Sequence, residues 1–165
     1  MNKNVIVGFF MKHRPQTTAN TQRFWSFGTQ IVRKNTTKYK ANTFGFYALI
    51  GIYVVDFEKN SKKSICIFIK KILSKNPEKH IVVILDNFTS HNAINVREKS
   101  KKCDIELVYL PVYSPHLNPI EYIRNSIKRT TSKTFIESHN HMKELIRVNF
   151  LKYASRISFA KSWIE

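Results

Sequence analysis

The apolar positions change period about a third of the way along the chain, and the change separates two kinds of element. NVIVGFF, residues 4–10, is a short apolar run that predicts a buried strand. RFWSFGTQIVRK reads as two short strands turning near Gly28. KANTFGFYALIGIYVVDF is aromatic and β-branched and broken at Gly45 and Gly51, which predicts another strand pair. Strands, mostly hairpin-linked, therefore come first. In NSKKSICIFIKKILSKNP the apolar residues Ile65, Phe68, Ile69 and Ile72 fall at i, i+3, i+4 and i+7, one helix face that stops at Asn76-Pro77. HIVVILD is a continuous apolar run ending on Asp86, the pattern of a strand covered on both faces. HNAINVREKSKKCD is a weaker helix and IELVYL another strand. Ile120, Ile123 and Ile127 mark a helix stripe. Met142, Leu145 and Ile146 with Asn149 or Phe150 mark the last clear one, and the tail beyond reads as helical or irregular. The order, strands and then alternating helix and strand, predicts one α/β domain over residues 1–165.

Composition adds a partner to this picture. With 42% apolar and 13% aromatic residues in 165, the chain is of globular and not of disordered type. Its 28 Lys and Arg against 11 Asp and Glu give a net charge of +17. The excess runs along the whole chain, so the fold itself carries it. Self-repulsion of that size in a short domain points to a polyanionic partner, nucleic acid, over a merely biased composition with solvated faces. Cys66 and Cys103 form no CxxC pair, which argues against a zinc ribbon or a disulfide framework and suits a reducing compartment. The N-terminus lacks a signal-peptide pattern. The longest uncharged apolar stretch, residues 44–55, falls short of the roughly 20 residues a membrane span needs. These features predict a soluble, cytoplasmic protein with no membrane partner, on the nucleoid when bound to DNA.

Candidate chemistry centres on two carboxylates. Asp86 ends an apolar strand, and sites in open α/β sheets form at the carboxyl ends of strands. Alone it also reads as a turn residue. Glu121 follows YLPVYSPHLNP, a loop with prolines at 111, 115 and 119. Asn118 is an N-cap type, Pro119 suits the first helical position, and Glu121 falls at the capping-box position, so a structural role suffices for it too. Taken together the two are more informative. Their strands are consecutive, so both carboxylates open on one sheet edge, and Glu121 lies off the Ile120–Ile123–Ile127 stripe. Two carboxylates on a basic scaffold suit Mg²⁺ held between protein oxygens and phosphates.

VVILDNFTSH, then LPVYSPHLNPIEYI…SIKR, with 34 residues (87–120) between the two acids, resembles the DDE catalytic domain of insertion-sequence transposases of the mariner-like superfamily. The resemblance is close over residues 80–130 and looser over PQTTANTQRFWSFG and NTTKYKANTFGFYAL. It implies a ribonuclease H-like fold with a mixed central sheet and flanking helices. It also implies DNA strand cleavage and transfer with two Mg²⁺ or Mn²⁺ ions. Asp86 matches the second catalytic acid and metal ligand, and Glu121 the third; Asn87, His91 and Asn118 match flanking motif positions. The first acid of the family stands in FFDE…PQ, where this chain has FFMKHRPQ. Met11 takes the acid's slot. No carboxylate precedes Asp56, so Asp56 and Glu58 are the nearest substitutes and His13 a soft one. His116 replaces a usual Asp, Val112 a Pro and Arg124 a common Trp, changes expected of a decaying copy.

The family's N-terminal helix-turn-helix DNA-binding region is not expected before a strand that starts at residue 4. The resemblance thus implies a truncated transposase with impaired transposition. Its partners would be DNA and either a second copy or a full-length transposase. Alternatives are a non-catalytic DNA-binding or interaction remnant, or a product with no retained role. Lys128, Arg129 and Lys133 are candidate phosphate contacts, with an ordinary solvated face as the competing reading. His139 and His141, at i and i+2, do not share a helix face and read as surface residues. Phe24 and Trp25 are base-stacking candidates that read equally as core.

Overall fold

The structure, a computed structural model, describes residues 5–17, 27–28, 35–49, 52–57, 62–86, 98, 100–101 and 104–156. Within these, five strands form one sheet: β1 (Val5–His13), β2 (Thr43–Ala48), β3 (Tyr53–Phe57), β4 (His80–Leu85) and β5 (Ile105–Tyr109). Their order is β3-β2-β1-β4-β5. β1 runs antiparallel to β2 and parallel to β4, so the sheet is mixed, with the hairpin-linked strands on one side and the crossover strands on the other. Three helices cover it: α1 (Lys62–Ser74), α2 (Ile120–Lys133) and α3 (His139–Ala154).

Side-chain alternation divides the core into two layers. On one face Ile6, Phe10, Phe44, Phe46, Val54, Ile81, Val83 and Leu85 pack against Ile65, Phe68, Ile69 and Ile72, the predicted stripe of α1. Phe10, Phe44 and Phe68 form a tilted aromatic trio with centroids 5.8–6.0 Å apart, a geometry rings prefer over face-to-face stacking. On the other face Phe9, Met11 and Tyr47 meet Ile120, Ile123 and Ile127 of α2 and Met142, Ile146 and Phe150 of α3. Each predicted stripe is thus the buried one, and the burial of three isoleucines holds α2 down at about 1.5–3 kcal/mol apiece. α1 ends as expected: the buried Asn76 side chain donates to the Ile72 carbonyl (2.7 Å), and Asn76 N–H to Leu73 O (2.8 Å).

Two details differ from the sequence expectations. HIVVILD is not equally covered on its two faces: Ile81, Val83 and Leu85 are buried, while His80, Val82 and Ile84 are half-buried. β4 lies second from the sheet edge, with β1 at the centre, and α2 covers β4 only in part. The strand pair expected across Gly28 lies mostly outside the described residues, as do Phe24, Trp25, Glu58, Cys103 and most of the helix expected over 91–104. Gly28 itself has φ +114°, a turn conformation, beside a fully exposed Phe27.

Candidate active site

The proline loop sets the start of α2. Leu110 N–H donates to Leu85 O (2.9 Å) and ties the loop's entry to the end of β4, next to Asp86. Tyr113 turns the chain at φ +60°. Pro115–Leu117 forms a 3-10 turn in which Leu117 N–H donates to Ser114 O and Asn118 N–H to Pro115 O, both 3.1 Å. Asn118 is extended (φ −119°, ψ 97°), Pro119 is already helical (φ −60°, ψ −23°), and Glu121 N–H donates to Asn118 O at 3.0 Å. The expected capping box does not form. No side chain caps α2, and the N–H that Glu121 would have to reach is already taken by Pro115. Asn118 Oδ1 is buried and finds no partner among the described residues.

Glu121 instead turns to Arg124, one turn along the helix. Arg124 Nη1 donates to Oε1 at 2.9 Å and stands 2.8 Å from Oε2, so one guanidinium nitrogen contacts both carboxylate oxygens. Burial pushes the Glu121 pKa above the usual carboxylate range; Arg124 opposes this, and the negative charge of Asp86 adds to it. The two acids therefore feel one another across a cleft of about 470 Å³ lined by Asp86, Pro111, Tyr113, Asn118, Glu121 and Arg124, among others. The shared sheet edge expected for Asp86 and Glu121 is what the fold provides.

Met11, which the resemblance places at the first acid's position, is closed off from solvent. β1 and β4 are parallel and their pairing ends with Phe9 opposite Ile84, so Met11 and Asp86 each lie two residues beyond the last pair. Met11 lies on the α2 side of the sheet but is only 3% exposed. Its Cε lies over Gly45, where an added Cβ would come within 3.0 Å of it and within 2.6 Å of Phe150 Cε2. Met11 is thus a core residue filling space against α3. Asp56 cannot stand in for it. It sits on β3 and faces α1 across the opposite side of the sheet, ion-paired with Lys71. His13 does share the α2 side. Its pKa is lowered to about 4, first by burial and then by Arg124 and Lys128, so it is a neutral imidazole at pH 7, and its buried Nε2 finds no partner among the described residues.

Lys128 stands one turn beyond Arg124 on Glu121's face of α2, near enough to His13 to disfavour its protonation. Arg129 and Lys133 are exposed, roughly 80° and 120° around the helix from Glu121 at about 100° per residue, and the structure does not bring them to the cleft. Asn87 and His91 lie outside the described residues. His116 is exposed in the 3-10 turn. His139 is exposed, while His141 N–H donates to the N-cap Ser138 Oγ (3.0 Å) and its Nδ1 accepts from Glu137 N–H (3.4 Å). The residue that sequence reasoning undervalued is Arg124. An acid and an arginine at i, i+3 signal the pair, but only burial shows that the arginine occupies both oxygens.

Among the described residues no group of three or more His, Cys, Asp or Glu converges as a metal site. A thioether in the first slot and a guanidinium on both oxygens of Glu121 do not fit a pair of divalent ions, which need several anionic oxygens.

The mixed five-stranded sheet with helices on both faces is a ribonuclease H-like fold. Residues 13–145 match the family model of the DDE superfamily endonuclease, and the chain belongs to that family. The match includes Asp86 and Glu121 and begins just after Met11. Among solved structures, the Mos1 transposase paired-end complex with left transposon end aligns at a TM-score of 0.70 and 18% identity, covering 92% of this chain and 51% of that one. The Mos1 transposase catalytic domain with raltegravir and Mn aligns at 0.66 and 15% identity, covering 94% and 73%. A simian T-cell lymphotropic virus intasome in complex with the PP2A regulatory subunit B56 gamma aligns at 0.61 and 9%, covering 87% and 46%. The chain thus spans about half the length of the first of these transposases. A comparison with curated proteins finds no match.

Proposed function

We propose that this chain is the catalytic domain of a mariner-type DDE transposase that binds DNA but has lost most or all of its strand-cutting activity. One observation carries the reading: Met11, at the position where the family has its first acid, is a buried core side chain. Asp86 and Glu121 are the retained catalytic and metal-binding pair, and divalent-ion binding at them is weakened. Support for the family chemistry comes from the endonuclease family match and from neighbours solved on a transposon end or with Mn or Mg. Arg124 and Lys128 offer the phosphate backbone positive charge on Glu121's face of α2, while Arg129 and Lys133 lie on another part of the helix, away from the cleft. Loss of one acid from a site of this kind removes on the order of several kcal/mol of transition-state stabilisation.

The test is nicking of supercoiled plasmid by purified protein with Mg²⁺ or Mn²⁺. Background cleavage, unchanged in Asp86→Ala, is expected. Robust cleavage that disappears in Asp86→Ala would overturn the impairment. A second reading, a purely DNA-binding or subunit-interacting remnant, draws on the net charge of +17. It requires salt-sensitive DNA binding indifferent to Asp86→Ala and Glu121→Ala, and pairing with itself or with a full-length transposase measurable by light scattering.

A further inference from the structure

We infer that Arg124 is a resident counter-cation that holds Glu121 in an ion pair and excludes divalent ions from the cleft, so that two residues, Met11 and Arg124, and not Met11 alone, set the metal affinity of this chain. The inference deepens the reading above and rests on it. Glu121 has a side chain 19% exposed, and both its oxygens contact one guanidinium nitrogen at 2.8–2.9 Å. A divalent ion reaching Glu121 would have to displace that contact or sit a few ångströms from a fixed positive charge, and an arginine cannot shed its charge by deprotonation. Lys128 and the unprotonated His13 flank Arg124. The positive field is thus shared by two cations, and nothing acidic on β1 offsets it, since Val5–His13 contains no carboxylate. The pair also accounts for the failed capping box: the carboxylate is drawn forward to Arg124 and not back to Asn118.

Arg124 also fills part of the cleft wall beside Asp86 and Asn118. A variant should therefore remove the charge while keeping the stem. Arg124→Gln keeps most of it, and Arg124→Met keeps an unbranched stem without hydrogen-bonding capacity.

The experiment is titration of the metal-free protein with Mn²⁺, followed by water-proton relaxation, with thermal melting as the check on folding. Wild type is expected to show only weak, non-saturating binding. Arg124→Gln and Arg124→Met should each bind Mn²⁺ about ten-fold or more tightly, since a unit charge in contact with the ligand is removed. The gain should vanish when Glu121→Gln is added. Saturable wild-type binding as tight as in the variants overturns the inference, as does a folded Arg124→Met protein with no gain. Metal-dependent nicking by wild type would instead sink the impairment reading. The ion titration and the nicking assay therefore fail separately.

Discussion

At the scale of single residues, the site is defined by which side chains are charged and which merely occupy space. Met11 shows the difference. The resemblance expects an acid there, but the side chain packs with Phe150 over Gly45. Met11→Asp should therefore do two things. It should cost about 2–5 kcal/mol by emptying a core position, read by urea denaturation. It should also leave plasmid nicking near background while Arg124 still pairs Glu121. Met11→Asp with Arg124→Gln should raise nicking above either single variant. Full recovery in Met11→Asp alone would show that Arg124 does not matter. His13 makes a different prediction. Folded His13 holds its proton less tightly than the unfolded chain, with a pKa near 4 against 6.5. Its contribution to stability is full above pH 6.5 and drains as pH falls towards 4. In His13→Gln, denaturation midpoints between pH 7 and 4 should fall less steeply than in wild type.

At the scale of elements, α2 is the pivot, because one helix presents a core stripe and a site face. Ile123 is fully buried and Asn125 exposed, two residues apart. Ile123→Ala should cost about 2–5 kcal/mol and lower the Tm by several degrees. Asn125→Ala should stay within about 0.5 kcal/mol. Equal effects would mean the helix is rotated from the orientation described. The period of Ile120, Ile123 and Ile127 announced this orientation in the sequence. The capping box was legible too, yet it fails. A local motif counts only the residues inside it, whereas a guanidinium at i+3 competes for the same carboxylate and offers a stronger, charged contact.

At the scale of the molecule, a sheet that brings β1, β4 and the α2 start together sits on a chain with 28 basic residues. Binding to duplex DNA should be electrostatic. About three phosphate contacts would make affinity fall roughly 40-fold between about 50 and 200 mM salt, and Lys128→Ala should reduce the log–log slope by about one. Fluorescence anisotropy with unrelated DNA sequences would check both. Affinity independent of salt would rule out phosphate contact as the main source of binding. No helix among the described residues is long and apolar enough to cross a membrane.

The sequence by itself determined the order of elements, the buried stripe of each helix and the two carboxylates, Asp86 and Glu121, that share one cleft, because period, strand-end position and proline spacing are local properties. It also showed that no carboxylate precedes Asp56. Only the tertiary structure decided what surrounds Met11 and Glu121. Met11 is a core residue because β2 offers a glycine beneath it and α3 a phenylalanine above. Asp56 is excluded because strand alternation turns it to the far face, onto Lys71. Arg124 pairs Glu121 because the two stand one turn apart on α2, and this contact opposes the rise in the Glu121 pKa that burial causes.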